Sequence, residues 1–468
     1  MKKTKIVATI GPATESLEML EKLLQAGMNV VRLNFSHGDF AEHQKRVDSL
    51  REAMKKTSIP AAILQDLGGP KIRIGMFSTD HVILVPGKTF TITTDNIIGD
   101  ENRVSVNYPL LPKEVSVGHI IFMHDGRKKL KVKEINGNDV VCEILVGGEI
   151  KGKRGLNLPD SNLSVKSLTE KDIADLEFGI KNKVDYMALS FVRRPSDITE
   201  LRDLLQKRGC DAGIIAKVET PQAVENIDEI VRLSDGIMVA RGDLAIEVPF
   251  EKVPSIQKMI IEKCNSAGKP VITATQMMES MIKSPVATRA EVSDVANAIL
   301  DGTDAIMLSE ETTLGEHPFE AVSVMTRIAR EVEKDFADHM LNGGMPITTT
   351  ISADNALSSA SVHIAESVGA RAIIVISDDI EDARMVSRFK ASMPIIVSTS
   401  NERVFNKLNL SWSIYPILIE KTNTIREAID VTRKEVIKMD FITNGDIVVI
   451  FGSVDMKSPA HTLTVEKL

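Results

Sequence analysis

The sequence predicts a three-part α/β protein: a (β/α)8 barrel, a small β unit inserted into it, and a doubly wound α/β domain behind. Three observations support this. Eight short aliphatic runs alternate with helix-patterned segments through the first and middle parts of the 468-residue chain. One long stretch among them loses the helical period, and a second α/β series follows the linker Asn342-Gly343-Gly344-Met345-Pro346. The length by itself calls for about three domains.

The eight runs are residues 5–10, 29–33, 61–65, 185–189, 213–216, 236–239, 270–273 and 304–308. Near-continuous Ile, Val, Leu and Met without polar alternation is what a parallel strand covered on both faces requires. Between the runs, residues 15–26 carry apolar side chains at helical spacing and stop at Gly27, and 196–208 and 249–267 behave alike. Eight strand–helix units predict closure into a TIM barrel, with two separate doubly wound domains as the competing arrangement. Between residues 70 and 164 short alternating runs take over, at 81–85, 89–94, 103–106 and 118–123. Residues 129–135 and 140–146 then flank Asn136-Gly137, a pair suited to the type I′ turn of a hairpin. This insert reads as a small β-barrel hanging off the third strand. In the last part, helices at 353–368 and 424–438 and strands at 372–377, 394–399 and 446–451 form the doubly wound pattern. The expected domains are 1–69 with 165–341, then 70–164, then 342–468.

Composition narrows the function. Apolar residues make up 43% and charged residues 26%, with 57 Lys+Arg against 65 Asp+Glu for a net charge of −8. That is a globular composition and a poor footprint for a nucleic-acid binder. Cys142, Cys210 and Cys264 are far apart, which fits neither a disulfide framework nor a zinc site and suits a reducing cytoplasm. The opening MKKTKIVATIGP has too short an apolar run for a signal peptide, and no run approaches the ~18 apolar residues of a membrane span.

In such barrels function gathers at the carboxyl ends of the strands. There the sequence places Arg32, Asn34, Ser36 and His37; Asp66 to Lys71; Arg194; Lys217 and Glu219; Ala240, Arg241, Gly242 and Asp243; Thr275; and Ser309, Glu310 and Glu311. Glu219 and Asp243 leave adjacent strands and can share one hard cation, Mg2+ or Mn2+, through oxygen ligands. A rim salt bridge such as Glu219 with Arg241 is the competing reading. Lys217 lies two residues before Glu219, on the same face of its strand. An ammonium beside a cation is useful when an anion lies between them, a phosphoryl or carboxylate group. Arg32 and Arg73 can bind phosphate bidentately. Metal, fixed cations and no need of a covalent nucleophile are the parts of a phosphoryl-transfer site. Neither a P-loop nor a Rossmann glycine fingerprint occurs at a strand–helix turn.

The strings KIVATIGPAT, NVVRLNFSHG, GIIAKVET, DGIMVARGDLAIE, VITATQMMESM and ATRAEVSDVANAILDGTDAIMLS, in this order, resemble the pyruvate kinase family over nearly the whole chain. The likeness is to bacterial members of its K+-independent subgroup. It implies transfer of a phosphoryl group from phosphoenolpyruvate to ADP, giving pyruvate and ATP, in a cytoplasmic homotetramer with no nucleic-acid or membrane partner. It also implies roles: Glu219 and Asp243 as ligands of Mg2+ or Mn2+, Lys217 and Arg32 on the phosphoryl group, and Thr275 where the enolate is protonated, with Ser309 and Glu311 behind it. The backbone amides around Ala240, Arg241, Gly242 and Asp243 would hold the substrate carboxylate, Asn34, His37, Arg73 and Arg194 would border the nucleotide, and the β insert would close as a lid.

Departures from the family pattern are informative. Asn34, Ser36 and Asp66 match ligands of the family's K+ site, but Leu67 replaces a threonine and Lys71 a glutamate, so K+ is not expected to be required. The loop Ser377-Asp378-Asp379-Ile380-Glu381-Asp382 carries four carboxylates where sugar-phosphate-activated relatives have hydroxyls, and Ser453-Val454-Asp455-Met456-Lys457-Ser458-Pro459 replaces a glycine-rich loop. Fructose 1,6-bisphosphate is therefore not expected to act there. His124 and Glu310 are smaller departures, at the lid tip and beside the proton path. Two other activities remain open at this stage: a metal-dependent lyase or aldolase on pyruvate enolates, and a silent metabolite sensor.

Overall fold

The computed structural model describes residues 2–334, 353–422, 424–439, 441–453 and 461–468. Eight parallel strands, Lys5–Thr9, Val30–Asn34, Ala62–Asp66, Tyr186–Leu189, Gly213–Val218, Gly236–Ala240, Val271–Ala274 and Ala305–Leu308, close into a barrel in which the last pairs with the first, Lys5 opposite Ala305. Closure excludes two separate open sheets. Val7, Val30, Leu64, Tyr186, Ile215 and Met238 fill the interior, and Leu410 from the C-terminal part joins them. Their neighbours Ile6, Val31, Ile63, Met187, Ile214 and Ile237 face the surrounding helices. Both faces of every strand are thus buried, which is why the strands read as unbroken apolar runs.

The helices begin where capping chemistry allows. The first is Leu17–Ala26: the Ser16 hydroxyl accepts from the Met19 amide at 3.3 Å, and Gly27 ends the helix at φ 116°. The segment expected at 249–267 divides into a 3-10 turn, Phe250–Lys252, and a helix, Val253–Ala267, with Pro254 in its first turn.

In the insert, Leu156–Asn157, Ile120–Met123, Lys128–Asn136, Asp139–Val146, Thr89–Thr93 and Arg103–Ser105 pair in that spatial order, and His81–Leu84 pairs separately with Gly148–Lys151. Single bridges from Arg73 to Gly155 and from Ile74 to Val106 join the two edges of the larger sheet, so the ring closes around one core. The short strands Gly148–Lys151 and Leu156–Asn157 were not expected from the sequence; too few residues lie in each for alternation to show.

The C-terminal sheet has the order Ile414–Leu418, Ile395–Thr399, Ala372–Ile376, Ile447–Ser453 and His461–Lys467, the last strand antiparallel. Its helices Ala353–Ser367 and Ile425–Lys438 agree with expectation. The strand Ile414–Leu418 escaped the sequence reading because Pro416 interrupts it, and Pro is tolerated here because the strand is at the sheet edge. The linker at 342–346 and the loop at 454–459 lie outside the described residues. Tyr186 donates to the Lys407 carbonyl at 2.7 Å, and Lys390 pairs with Asp304 at 2.9 Å, joining this sheet layer to the barrel floor. Among the described residues no helix is long and apolar enough to cross a membrane.

Candidate active site

The barrel mouth is organised around one buried carboxylate. Asp66, at the end of the third strand and 1% exposed, accepts from Arg32 Nε at 2.7 Å and lies 3.3 Å from Lys217 Nζ. Arg32 Nη1 also donates to Thr9 Oγ1 at 2.8 Å. Lys217 donates to Ser190 Oγ at 2.8 Å and pairs with Glu219 Oε1 at 3.0 Å, while the Phe191 amide donates to Glu219 Oε2 at 2.7 Å. Burial opposes charge at each group, and the pairings decide the result. Lys217 and Arg32 overcome burial and hold Asp66 below the usual carboxylate range. Asp66 and Glu219 likewise overcome burial and raise the Lys217 ammonium. Glu219 goes the other way: burial and the nearby charge of Asp243 raise it despite Lys217.

Glu219 and Asp243 are thus two like charges facing one another with oxygen donors, a set that a hard divalent cation relieves. Among the described residues no group of three or more His, Cys, Asp or Glu is placed to hold a metal. Two protein carboxylates could hold a hard divalent cation in an incomplete shell, leaving the other positions to further oxygen ligands. The competing Glu219–Arg241 bridge does not form. Arg241 grips Asp294 through both terminal nitrogens, at 2.7 Å each, and its side chain turns away from the mouth.

That turn gives Arg241 another task. Thr275 and Gln276, just beyond the seventh strand, adopt φ 69° and 55°, a left-handed conformation unusual for side-chain-bearing residues. Arg241 Nη2 donates to the Thr275 carbonyl at 2.8 Å and Nε to the Ala274 carbonyl at 3.2 Å. The Thr275 hydroxyl accepts from the Gly242 amide at 2.7 Å. Ala240, Arg241, Gly242 and Asp243 lie at the start of a short helix, Arg241–Glu247, that the sequence reading did not resolve. Buried Glu311 accepts from the amides of Ser309 at 2.7 Å and Met278 at 3.1 Å; burial raises its carboxyl, while Glu310 is exposed and points away.

The loop after the second strand brings Asn34, Ser36 and His37 to the same mouth, with Asn34 Oδ1 accepting from the Ser36 amide at 3.1 Å. Partial burial and the cations Lys71, Arg73 and Arg32 hold His37 below its usual range, so these cations share one electrostatic neighbourhood. Asn107 accepts from the Arg73 amide at 2.7 Å, fixing the loop between barrel and insert. Leu67 is buried in the barrel–helix core and offers nothing to a cation. Arg194 is exposed and reaches Asn162 of the insert at 3.4 Å.

Sequence reasoning missed Ser190, Asp294 and Glu247. Glu247 accepts from Asn157 of the insert at 2.8 Å, and burial pushes its carboxyl up to about 7. With Asp125 of the lid tip, Lys71, Arg193 and Asp243, it lines a cleft between insert and barrel. Ser190 was within reach: it directly follows the fourth apolar run. His124, also at the tip, adopts φ 55°.

If Asp66 carries the cluster, Asp66→Asn leaves two buried cations short of a counter-charge. The substitution is expected to cost about 3–5 kcal/mol, read as an earlier urea transition of the barrel. Unfolding at the wild-type urea concentration would show that Asp66 does not hold the cluster.

Comparison with known proteins agrees with this geometry. The model of the pyruvate kinase barrel domain matches residues 1–322, and that of the pyruvate kinase alpha/beta domain matches residues 355–466. A pyruvate kinase of Geobacillus stearothermophilus is 43% identical over 98% of this chain and 79% of its own length. One from Thermotoga maritima is 41% identical over the whole of both chains. A crystal structure of a pyruvate kinase from Cryptosporidium parvum superposes with a TM-score of 0.94 at 36% identity, covering 100% of this chain and 96% of that one. With both family models matched in order around a closed barrel and its inserted lid, the chain belongs to the pyruvate kinase family of phosphotransferases.

Proposed function

We propose that the barrel mouth transfers the phosphoryl group of phosphoenolpyruvate to ADP, giving pyruvate and ATP, as the last step of glycolysis in the cytoplasm, and that the enzyme works as a homotetramer. The observation that carries this reading is Lys217, charged and held between Asp66 and Glu219 beside Asp243. Mg2+ or Mn2+ on Glu219 and Asp243 would supply neutralisation of substrate phosphate and carboxylate oxygens. Lys217 meets the equatorial oxygens of the phosphoryl group in flight, where charge spreads in a loose transition state. Arg32, aligned by Asp66 and Thr9, holds the same phosphate before and during transfer.

Thr275, whose hydroxyl sits between the Gly242 amide and the Ala274 carbonyl, lies where the enolate carbon takes its proton, and Ser309 with Glu311 backs it as the proton path. The backbone around Ala240, Arg241, Gly242 and Asp243 holds the substrate carboxylate, the Gly242 amide exchanging its bond to Thr275 for the substrate. Asn34, His37, Arg73 and Arg194 form the cationic border that receives nucleotide phosphates, and the insert closes on them to exclude water. A lyase or aldolase on pyruvate enolates would have little use for Lys217 or for a lid, and a silent sensor would have no reason to keep Lys217, Glu219, Asp243 and Thr275 together. A coupled assay of pyruvate formation from phosphoenolpyruvate, ADP and Mg2+ is expected to show activity that Lys217→Met lowers about 100- to 1,000-fold. No ADP-dependent pyruvate would reject the transfer reaction; equal activity in the variant would reject the role of the lysine.

The same neighbourhood supports independence from K+. Asp66 is engaged by Arg32 and Lys217, Leu67 is buried, and Lys71 adds a fixed positive charge beside His37. Initial rates in tetramethylammonium buffer are expected to change less than twofold when KCl is added; a large rise would sink the idea.

In the C-terminal sheet layer, Asp378 accepts from the Thr399 hydroxyl and from the Ser400 amide and hydroxyl, each at 2.7 Å. Asp382 Oδ1 lies 3.1 Å from His461 Nε2. The loop's own carboxylates engage the donors a phosphate would need, which supports insensitivity to fructose 1,6-bisphosphate. Calorimetric titration is expected to show no binding, and tight stoichiometric heat would refute it.

A further inference from the structure

At the opposite end of the barrel from the mouth lies a small cavity of about 10 Å3, lined by Asn265, Lys269 and Asp304 of the barrel and by Arg384, Arg388 and Ser411 of the C-terminal part. Its walls are rich in donors and poor in acceptors. Arg384, Arg388 and Ser411 are 3%, 6% and 1% exposed, and Arg384 Nε, Arg388 Nε and Nη2 and Ser411 Oγ have no hydrogen-bond partner. Buried donors in folded proteins are almost always paired, so four together mark a place where something is missing.

The carboxylates nearby are already engaged. Asp304 forms an ion pair with Lys390 at 2.9 Å and accepts from the Trp412 amide at 3.0 Å and from the Val271 amide at 3.0 Å. Glu381 pairs with Arg384 Nη1 at 3.1 Å and lies 3.7 Å from Lys269. Arg388 donates through Nη1 to the Ser266 carbonyl at 3.1 Å, and among the described residues no carboxylate pairs with it. A guanidinium taken out of water without a counter-charge is among the costlier arrangements a fold can contain. Burial alone accounts for the lowering of its affinity for the proton.

We propose that this cavity binds a small inorganic anion, held by the free nitrogens of Arg384 and Arg388 and the Ser411 hydroxyl, and that the anion clamps the C-terminal domain to the barrel floor. A cavity of this size takes a single particle no larger than a halide; an oxyanion would have to spread its walls. Arg384 also donates to Tyr186 at 3.0 Å, so the clamp reaches a residue inside the barrel.

The test uses the full-length protein in a buffer whose anion is a bulky organic acid, at constant ionic strength, with chloride, bromide or phosphate replacing that anion stepwise. The thermal midpoint of the wild type is expected to rise and saturate, by about 2–4 °C, while Arg388→Met stays flat and in the organic buffer is no less stable than the wild type. A rise with halides assigns a monatomic ion, and a rise with phosphate alone assigns an oxyanion. Crystals grown in bromide are expected to show an anomalous peak between Arg384, Arg388 and Ser411. An equal rise in wild type and variant, or no rise at all, overturns the proposal. A bromide peak without a thermal response means an adventitious ion only and overturns it as well. Should Arg388→Met not fold, Ser411→Ala carries the same comparison, with a weakened rise as the supporting result and an unchanged one against.

Discussion

The mouth of this barrel depends on Asp66. Two cations, Arg32 and Lys217, come from strands on either side of it, and without its carboxylate they would repel one another in a poorly hydrated space. On the proposed function, Arg32 and Lys217 are the charges that meet the phosphoryl group, and they have to be present before it arrives. Asp66 makes that possible: it balances them in the resting state while leaving part of each cation's donor capacity for a ligand. Barrel closure is the precondition. The second, third, fourth and fifth strands stand side by side, with Arg32 opposite Leu64, Asn34 opposite Asp66 and Ala188 opposite Asp66, so register alone brings the charged ends together.

Backbone strain gathers around the same place. Phe191, Thr275 and Gln276 hold positive φ at strand ends, as do His124 and Asp125 at the lid tip. Each persists because something opposes relaxation. The Phe191 amide is tied to Glu219, and the Thr275 carbonyl to Arg241, which Asp294 locks in place. The charged groups and the strained turns therefore support each other: moving Glu219 frees Phe191, and moving Arg241 frees Thr275. A site built this way loses little entropy when a substrate enters, since its donors are already aimed.

The barrel strands were legible because burial on two faces writes an unambiguous apolar run, and their charged ends followed from where the runs stop. Lys217, Glu219, Asp243, Arg32 and Thr275 were found in that way, and the structure brings them to one mouth. Legibility failed where a role depends on a partner distant in sequence. Asp294 sits in the middle of a helix with nothing local to mark it, yet it orients Arg241. Glu247 is likewise unmarked locally, and its partner Asn157, 90 positions away, reaches it from the insert. For the Arg241 side chain the sequence suggests a rim bridge to Glu219, and its actual partner, Asp294, lies 53 positions away. In the C-terminal sheet the misses are of a different kind: the edge strand Ile414–Leu418 breaks the apolar rule at Pro416 because an edge does not need every ladder bond.

One strand links the two ends of the barrel. Tyr186 opens the fourth strand and takes hydrogen bonds with Arg384 and Lys407 of the C-terminal domain, while Ser190, just past its other end, receives the Lys217 ammonium. They are four positions apart, about 13 Å of extended chain. The strand is paired along both edges, to Ala62–Asp66 and to Gly213–Val218, so it cannot slide without breaking ladder bonds on two sides. Its neighbours carry Asp66 and Lys217 themselves. The floor contacts and the charged groups of the mouth are consequently joined by one stiff element, and whatever fixes Arg384 at the floor also fixes the footing of Ser190 at the mouth. The net charge of −8 hides this arrangement. Several acidic residues are buried at the mouth as counter-charges, so the cations Arg32 and Lys217 are held there in spite of the acidic average.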